Sequence, residues 1–132
     1  MLDLEVLAGE ERAPLGRRSP APGVRRAARA ALAAAGVEDG HLAIAIVGET
    51  EMRRLNRDFR EVDRPTDVLS FPVDEADATA GPRELGDVIV CPSQTEDLIA
   101  AVVHGVLHLC GYDHEADRGE MLALQRDVLA RL

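Results

Sequence analysis

Three of the four histidines in this 132-residue chain fall within eleven positions, as His104-Gly-Val-Leu-His108-Leu-Cys-Gly111-Tyr-Asp-His114. No other feature constrains the fold so tightly. Positions i and i+4 of a helix point the same way, so His104 and His108 can grip one ion from a single helical face. Gly111 supplies the residue that ends the helix in the left-handed conformation, which a residue with a Cβ resists. The chain can then turn and bring His114 back as a third ligand. Three protein ligands leave one coordination position open, as in catalytic rather than structural zinc sites.

The pattern H-x-x-x-H-x-x-G-x-x-H has the ligand spacing of the metzincin proteases. Those enzymes place Glu directly after the first His as general base. Here that position is Gly105. Peptide hydrolysis also requires a proton for a poor amine leaving group, and no neighbouring residue offers one. A phosphodiester instead calls for a Lewis acid and a cationic clamp around an anionic transition state. The substitution favours phosphoryl chemistry over proteolysis.

A chain of this size is expected to form one domain, residues 1–132. Aromatics amount to 2% (Phe59, Phe71 and Tyr112) against 46% hydrophobic residues, so the core must be aliphatic. No stretch approaches the ~20 apolar residues of a membrane span, and no membrane partner is expected. Residues 2–7 alternate as a strand and carry no basic run, unlike a signal peptide. Two cysteines, Cys91 and Cys110, make no disulfide framework and are expected to be reduced, in a cytoplasmic protein. Cys110 lies roughly 200° around the helix from His108 and should face away from the ion.

The net charge of −9 argues against a nucleic-acid partner, but its distribution softens the objection. Six arginines and no acid lie between Arg12 and Val37, whereas 16 of the 24 acids lie from Asp58 onward. Arg25, Arg26 and Arg29 form either a solvated helix face or, for Arg25 and Arg29, RNA contacts. With so few aromatics any RNA grip would be mainly electrostatic.

Along the chain, a Gly/Pro/Arg-rich connection (8–19) precedes an Ala-rich helix to Ala35, with Ser19 as N-cap, Pro20 in its first turn and Gly36 as its stop. His41 to Val47 is a central strand, with His41 a surface residue at its mouth. Thr50 opens a helix that turns Met52, Leu55 and Phe59 inward and Arg53, Arg54 and Arg57 outward. Strands follow at 66–72 and 86–91 around a polar loop at 73–85. Ser93-x-x-Glu96 is a capping box for the histidine-bearing helix, whose remaining stripe of Asp97, Ala101, His104 and His108 faces a cleft. Asp117-x-x-Glu120 caps a last helix that packs Met121, Leu122, Leu124, Val128 and Leu129 inward. The expected class is α+β, with a sheet of about four strands and helices packed against it.

At this point the residues resemble a known family. The 104–114 run is similar to the signature of the YbeY endoribonucleases. Leu55-Asn56-Arg57-Asp58-Phe59-Arg60 resembles that family's L-N-x-x-[FY]-R element. Thr66-Asp67-Val68-Leu69-Ser70-Phe71-Pro72 resembles its T-[DN]-V-L-S-F-P strand, and Gly86-Asp87-Val88 its G-D-[IV] strand. The four blocks occur in the family's order over about residues 41 to 132. The resemblance implies a zincin-like metal-bearing helix and zinc at His104, His108 and His114, although three imidazoles accept other divalent ions. It also implies a functional arginine at Arg60. The implied activity is single-strand-specific, metal-dependent endonucleolytic cleavage of RNA in 16S rRNA 3′-end maturation and ribosome quality control. The implied partners are the 16S rRNA precursor and the small ribosomal subunit with its assembly factors. One departure stands out: only thirteen residues (91–103) separate the G-D-V strand from His104, fewer than the family's pattern. Either the helix before the histidines or one wall of the cleft is shortened.

Arg60 either neutralises charge on the phosphate or forms a salt bridge with Asp58, Asp63 or Asp67. Asp67 or Asp113 is the expected partner for a histidine's second nitrogen, which metal-bound imidazoles usually require. Tyr112 either donates to substrate or fills the wall of the turn, and Ser70 has no assignable chemistry. Two other classes remain: a zinc metalloprotease-like hydrolase with a general base from elsewhere, and a non-catalytic ribosome-assembly factor.

Overall fold

The structure, a computed structural model, describes residues 2–8, 21–73 and 83–132. The expected Ser19 cap with Pro20, nearly all of the 8–19 connection, and residues 74–82 of the expected loop lie outside these. The elements are β1 (Leu2–Ala8), α1 (Ala21–Ala34), β2 (Gly40–Ile46), α2 (Glu49–Arg60), β3 (Val68–Pro72) and β4 (Glu84–Val90). A 3-10 turn (Pro92–Gln94) then leads to α3 (Leu98–Leu109) and α4 (Glu120–Ala130). The architecture is the expected α+β arrangement, with one four-stranded sheet in the order β1-β2-β4-β3. β1, β2 and β4 run parallel, and β3 closes one edge antiparallel to β4.

Strand alternation decides which residues meet which helices. Leu4, Leu42, Ile44, Val88 and Val90 turn to one face, where they merge with buried residues of α1, α3 and α4. The other face carries Ala45, Leu69, Phe71 and Ile89, which meet Met52 and Leu55 of α2. Most of the aliphatic core is on the first side, at about 1.5–3 kcal/mol for each fully buried Val, Leu, Ile or Met. Helix α3 is sandwiched there between the β3–β4 half of the sheet and the helices α1 and α4.

Several expectations are corrected. Phe59 is 66% exposed, resting edge-on against Phe71 at 5.2 Å, because α2 covers only part of its sheet face and Phe59 lies near the helix end. Leu122 is 45% exposed, since α4 buries the stripe of Met121 and Val128 instead. The Ser93–Glu96 box does not form: Pro92 to Gln94 make the 3-10 turn, and Asp97 becomes the N-cap of α3, accepting from Ala100 N at 3.0 Å. Asp97 is therefore spent on the helix start rather than on the cleft. Asp117 and Glu120 do serve the start of α4, accepting from Met121 N and Arg118 N respectively, although Gly119 occupies the cap position. Arg25 has a structural role besides, its guanidinium donating to Leu4 O at 2.7 Å and tying α1 to β1.

His41 also proves to be more than a surface residue. Its Nδ1 donates to the Glu84 carboxylate at 2.8 Å and its Nε2 to Glu5 at 2.6 Å, so one imidazolium clamps β1, β2 and β4 together. The hydrogen bond to Glu84, then that to Glu5, raise its pKa from 6.5 to about 9. Stability from this clamp is complete below 6.5 and is lost as pH rises through about 9. His41→Ala should therefore lower the urea midpoint most at about pH 6, and the gap to the parent should close by about pH 10. A gap of constant size across that range would contradict the clamp.

Candidate metal centre

Helix α3 ends as Gly111 requires. Gly111 sits at φ +101°, its N–H donates to His108 O at 3.0 Å, and Tyr112 N reaches back to Leu107 O at 3.1 Å. These are the two bonds of a Schellman motif, and they reverse the chain within three residues. His114 is thereby returned over the last turn of the helix. Its Nδ1 lies 3.2 Å from His108 Nε2. The ring centroids of His104, His108 and His114 are 4.7, 5.1 and 5.1 Å apart, and one ligand nitrogen from each falls within 4.8 Å of the others.

The donor set suits a divalent cation. Nitrogens bonded tetrahedrally to zinc at about 2.0–2.1 Å stand about 3.3 Å apart, close to the His108–His114 separation. Two neutral imidazole nitrogens facing each other at that distance need a proton or a cation between them. Burial, then the neighbouring charges of His104 and His114, push the His108 pKa down, which keeps its ring neutral and its lone pair available. A backbone hydrogen bond with Tyr112 works against that shift and steadies the ring. Cys110 takes no part: it packs against the core, and burial pushes its thiol up to about 11.

The three histidines line a cleft of about 560 Å³ with Arg60, Asp67, Val68, Ser70, Pro72 and the 111–115 turn. Arg60 projects from the last turn of α2 and is exposed. The acids expected to neutralise it are engaged elsewhere. Asp63 takes Arg53 at 2.8 Å, Asp58 takes Arg57 at 3.3 Å, and the Asp67 carboxylate accepts from Val68 N and the Thr66 hydroxyl. Among the described residues Arg60 has no ion-pair or hydrogen-bond partner. Arg29 is exposed on α1 and does not line the cleft.

The second-nitrogen partners differ from expectation. The hydrogen bonds of the Asp67 carboxylate stay within its own strand end, and the Asp113 carboxylate accepts from Glu115 N at 3.0 Å within the turn. Neither carboxylate hydrogen-bonds a histidine. His104 is instead partnered by Gln125 of α4, whose Oε1 lies 2.8 Å from its Nδ1, and His108 by the Tyr112 backbone. A polar residue spaced four after Met121 and three before Val128, inside an apolar stripe, was the available signal. Tyr112 packs against the core as part of the wall.

Gly105 has a spatial explanation. A Cβ built there would lie 2.7 Å from methyl carbons of both Val68 and Val88. Ser70 Oγ, without assignable role in the sequence, donates to Gly105 O at 2.8 Å and holds the helix at this close approach. A glutamate at this position would have no room. Gly105→Ala should therefore cost about 1–3 kcal/mol by overpacking, measured by urea denaturation, despite alanine's better helix propensity. A variant as stable as the parent would contradict the close approach.

The comparisons with known proteins converge. The family model described as Endoribonuclease YbeY matches residues 23–132. Endoribonuclease YbeY of Azorhizobium caulinodans is 43% identical, the match taking in 80% of this chain and 77% of the relative. The Alkalilimnicola ehrlichii protein of the same name is 41% identical over 86% of this chain and 78% of its own. The first of these alignments runs to 123 residues but takes in only 80% of this chain's 132, so the relative carries residues with no counterpart here. The solution structure of the Thermotoga maritima protein TM1509 superposes with a TM-score of 0.56 at 27% identity, covering 98% of this chain and 87% of that one.

Proposed function

The chain belongs to the endoribonuclease YbeY family, and on that footing we propose that it is a metal-dependent endoribonuclease that cleaves single-stranded RNA in the cleft between α2, β3 and the end of α3. Its substrate on this proposal is the 16S rRNA precursor near its 3′ end, met in the small ribosomal subunit with its assembly factors. The observation that carries the proposal is the convergence in one cleft of three imidazoles and a guanidinium that has no partner among the described residues.

In this proposal His104, His108 and His114 hold the ion, and zinc is the ion their nitrogen donors suit. Such an ion supplies Lewis acidity at a phosphoryl oxygen and acidifies water. Arg60 provides the cationic clamp: its planar fork, without a partner among the described residues, can donate to two phosphate oxygens and offset the charge that builds on them. The 111–115 turn forms the facing wall, with Tyr112 anchored in the core. Among the described residues no helix is long and apolar enough to cross a membrane, and two free cysteines, Cys91 and Cys110, suit the reducing cytoplasmic setting proposed. The protease alternative loses ground at Gly105, where the packing leaves no space for the glutamate that chemistry uses.

Arg60→Ala should keep zinc and fold yet lower cleavage of a single-stranded RNA by about 10²-fold or more, in line with loss of one transition-state donor. A gel-based cleavage assay beside metal analysis reads both. Cleavage at the parent's rate would remove Arg60 from the mechanism.

A further inference from the structure

Met121, Gln125 and Val128 recur at helical spacing on α4, and Met121 and Val128 are buried at 0% and 3% exposure. Gln125 therefore belongs to the stripe that α4 turns toward α3, not to its solvated face. Its Oε1 meets His104 Nδ1 at 2.8 Å. An amide oxygen only accepts, so Nδ1 carries the proton and donates, and the lone pair of that ring is left on Nε2. Without this acceptor the ring could carry its proton on either nitrogen and rotate about its side-chain bonds.

We propose that Gln125 is a positioning residue for the metal centre: it fixes the tautomer and plane of His104 so that Nε2 faces the space shared with His108 and His114. This rests on the metal-dependent reading above. Its chemistry is specific in one further respect. A carboxylate in the same place would hold the ring equally well while adding negative charge and raising the basicity of the imidazole. The neutral amide directs the ring and leaves the bound cation its full electron demand, which suits a Lewis acid acting on a phosphodiester.

The test compares the parent with Gln125→Leu and Gln125→Glu, using zinc alone as probe in competition with a chromophoric chelator near neutral pH. Gln125→Leu should bind zinc about 10–100-fold more weakly. Gln125→Glu, which keeps an acceptor, should bind at least as tightly as the parent, and this outcome decides even if the leucine variant does not fold. Nitrogen-15 NMR of the metal-free parent should show His104 protonated at Nδ1, a signature that bulk packing would not impose. Parent-like affinity in Gln125→Leu would overturn the role of Gln125 alone. A loss in Gln125→Glu as large as in Gln125→Leu would do the same. A parent that takes up no zinc would overturn the metal centre with it.

Discussion

The close approach of α3 to the sheet at Gly105 governs the rest of the site. Two valine methyl groups occupy the space a Cβ would need, and the Ser70 hydroxyl bonds the Gly105 carbonyl across the gap. With the helix seated that deeply, His104 and His108 emerge half-buried at the level of β3, one turn apart. Dispersion contacts in such a tight seat leave little freedom for the helix to slide or roll. The Schellman turn can then deliver His114 to a fixed target, because both partners of the trio are already held. The same packing that builds the site also removes the position from which a zinc protease would draw its base.

The electrostatics separate along the sheet. On one side the His41 imidazolium is shared by Glu5 and Glu84, with Asp3 close by, so local acid is concentrated away from the cleft and partly neutralised. Most arginines of α2 are either paired, as Arg53 and Arg57 are, or exposed, and Arg60 stands in the cleft itself. A chain of net charge −9 can therefore still present a cationic group where a phosphate would come. Association with RNA on such a surface would be strongly weakened by salt.

Much of this was legible in the sequence where a local rule is strict. Histidines at i and i+4, followed by a glycine three residues on, specify a helix, its end and a reversal, and none of these depends on distant residues. Alternation in residues 2–7 and 41–47 likewise located two strands and their faces. What failed depended on how elements sit together. Phe59 has the periodicity of a core residue, but α2 covers too little of the sheet to bury it. Ser93 and Glu96 fit a capping pattern, yet Pro92 tightens the chain into a 3-10 turn and passes the cap to Asp97. Asp67 and Asp113 are the carboxylates expected to partner the histidines, but both accept from backbone N–H groups one or two residues on in their own segments. Gln125, eleven residues past the last histidine, reaches the site only through the docking of α4 on α3.

The central claim is that one cation is held by three imidazoles and no other side chain. X-ray absorption at the zinc edge of the zinc-loaded protein, with the metal content measured alongside, tests it most directly. The account predicts one zinc per chain and three imidazole nitrogens at about 2.0–2.1 Å, with remaining scattering from a light solvent atom. A sulfur at about 2.3 Å, fewer imidazoles, or spectra unchanged by His114→Ala would contradict it.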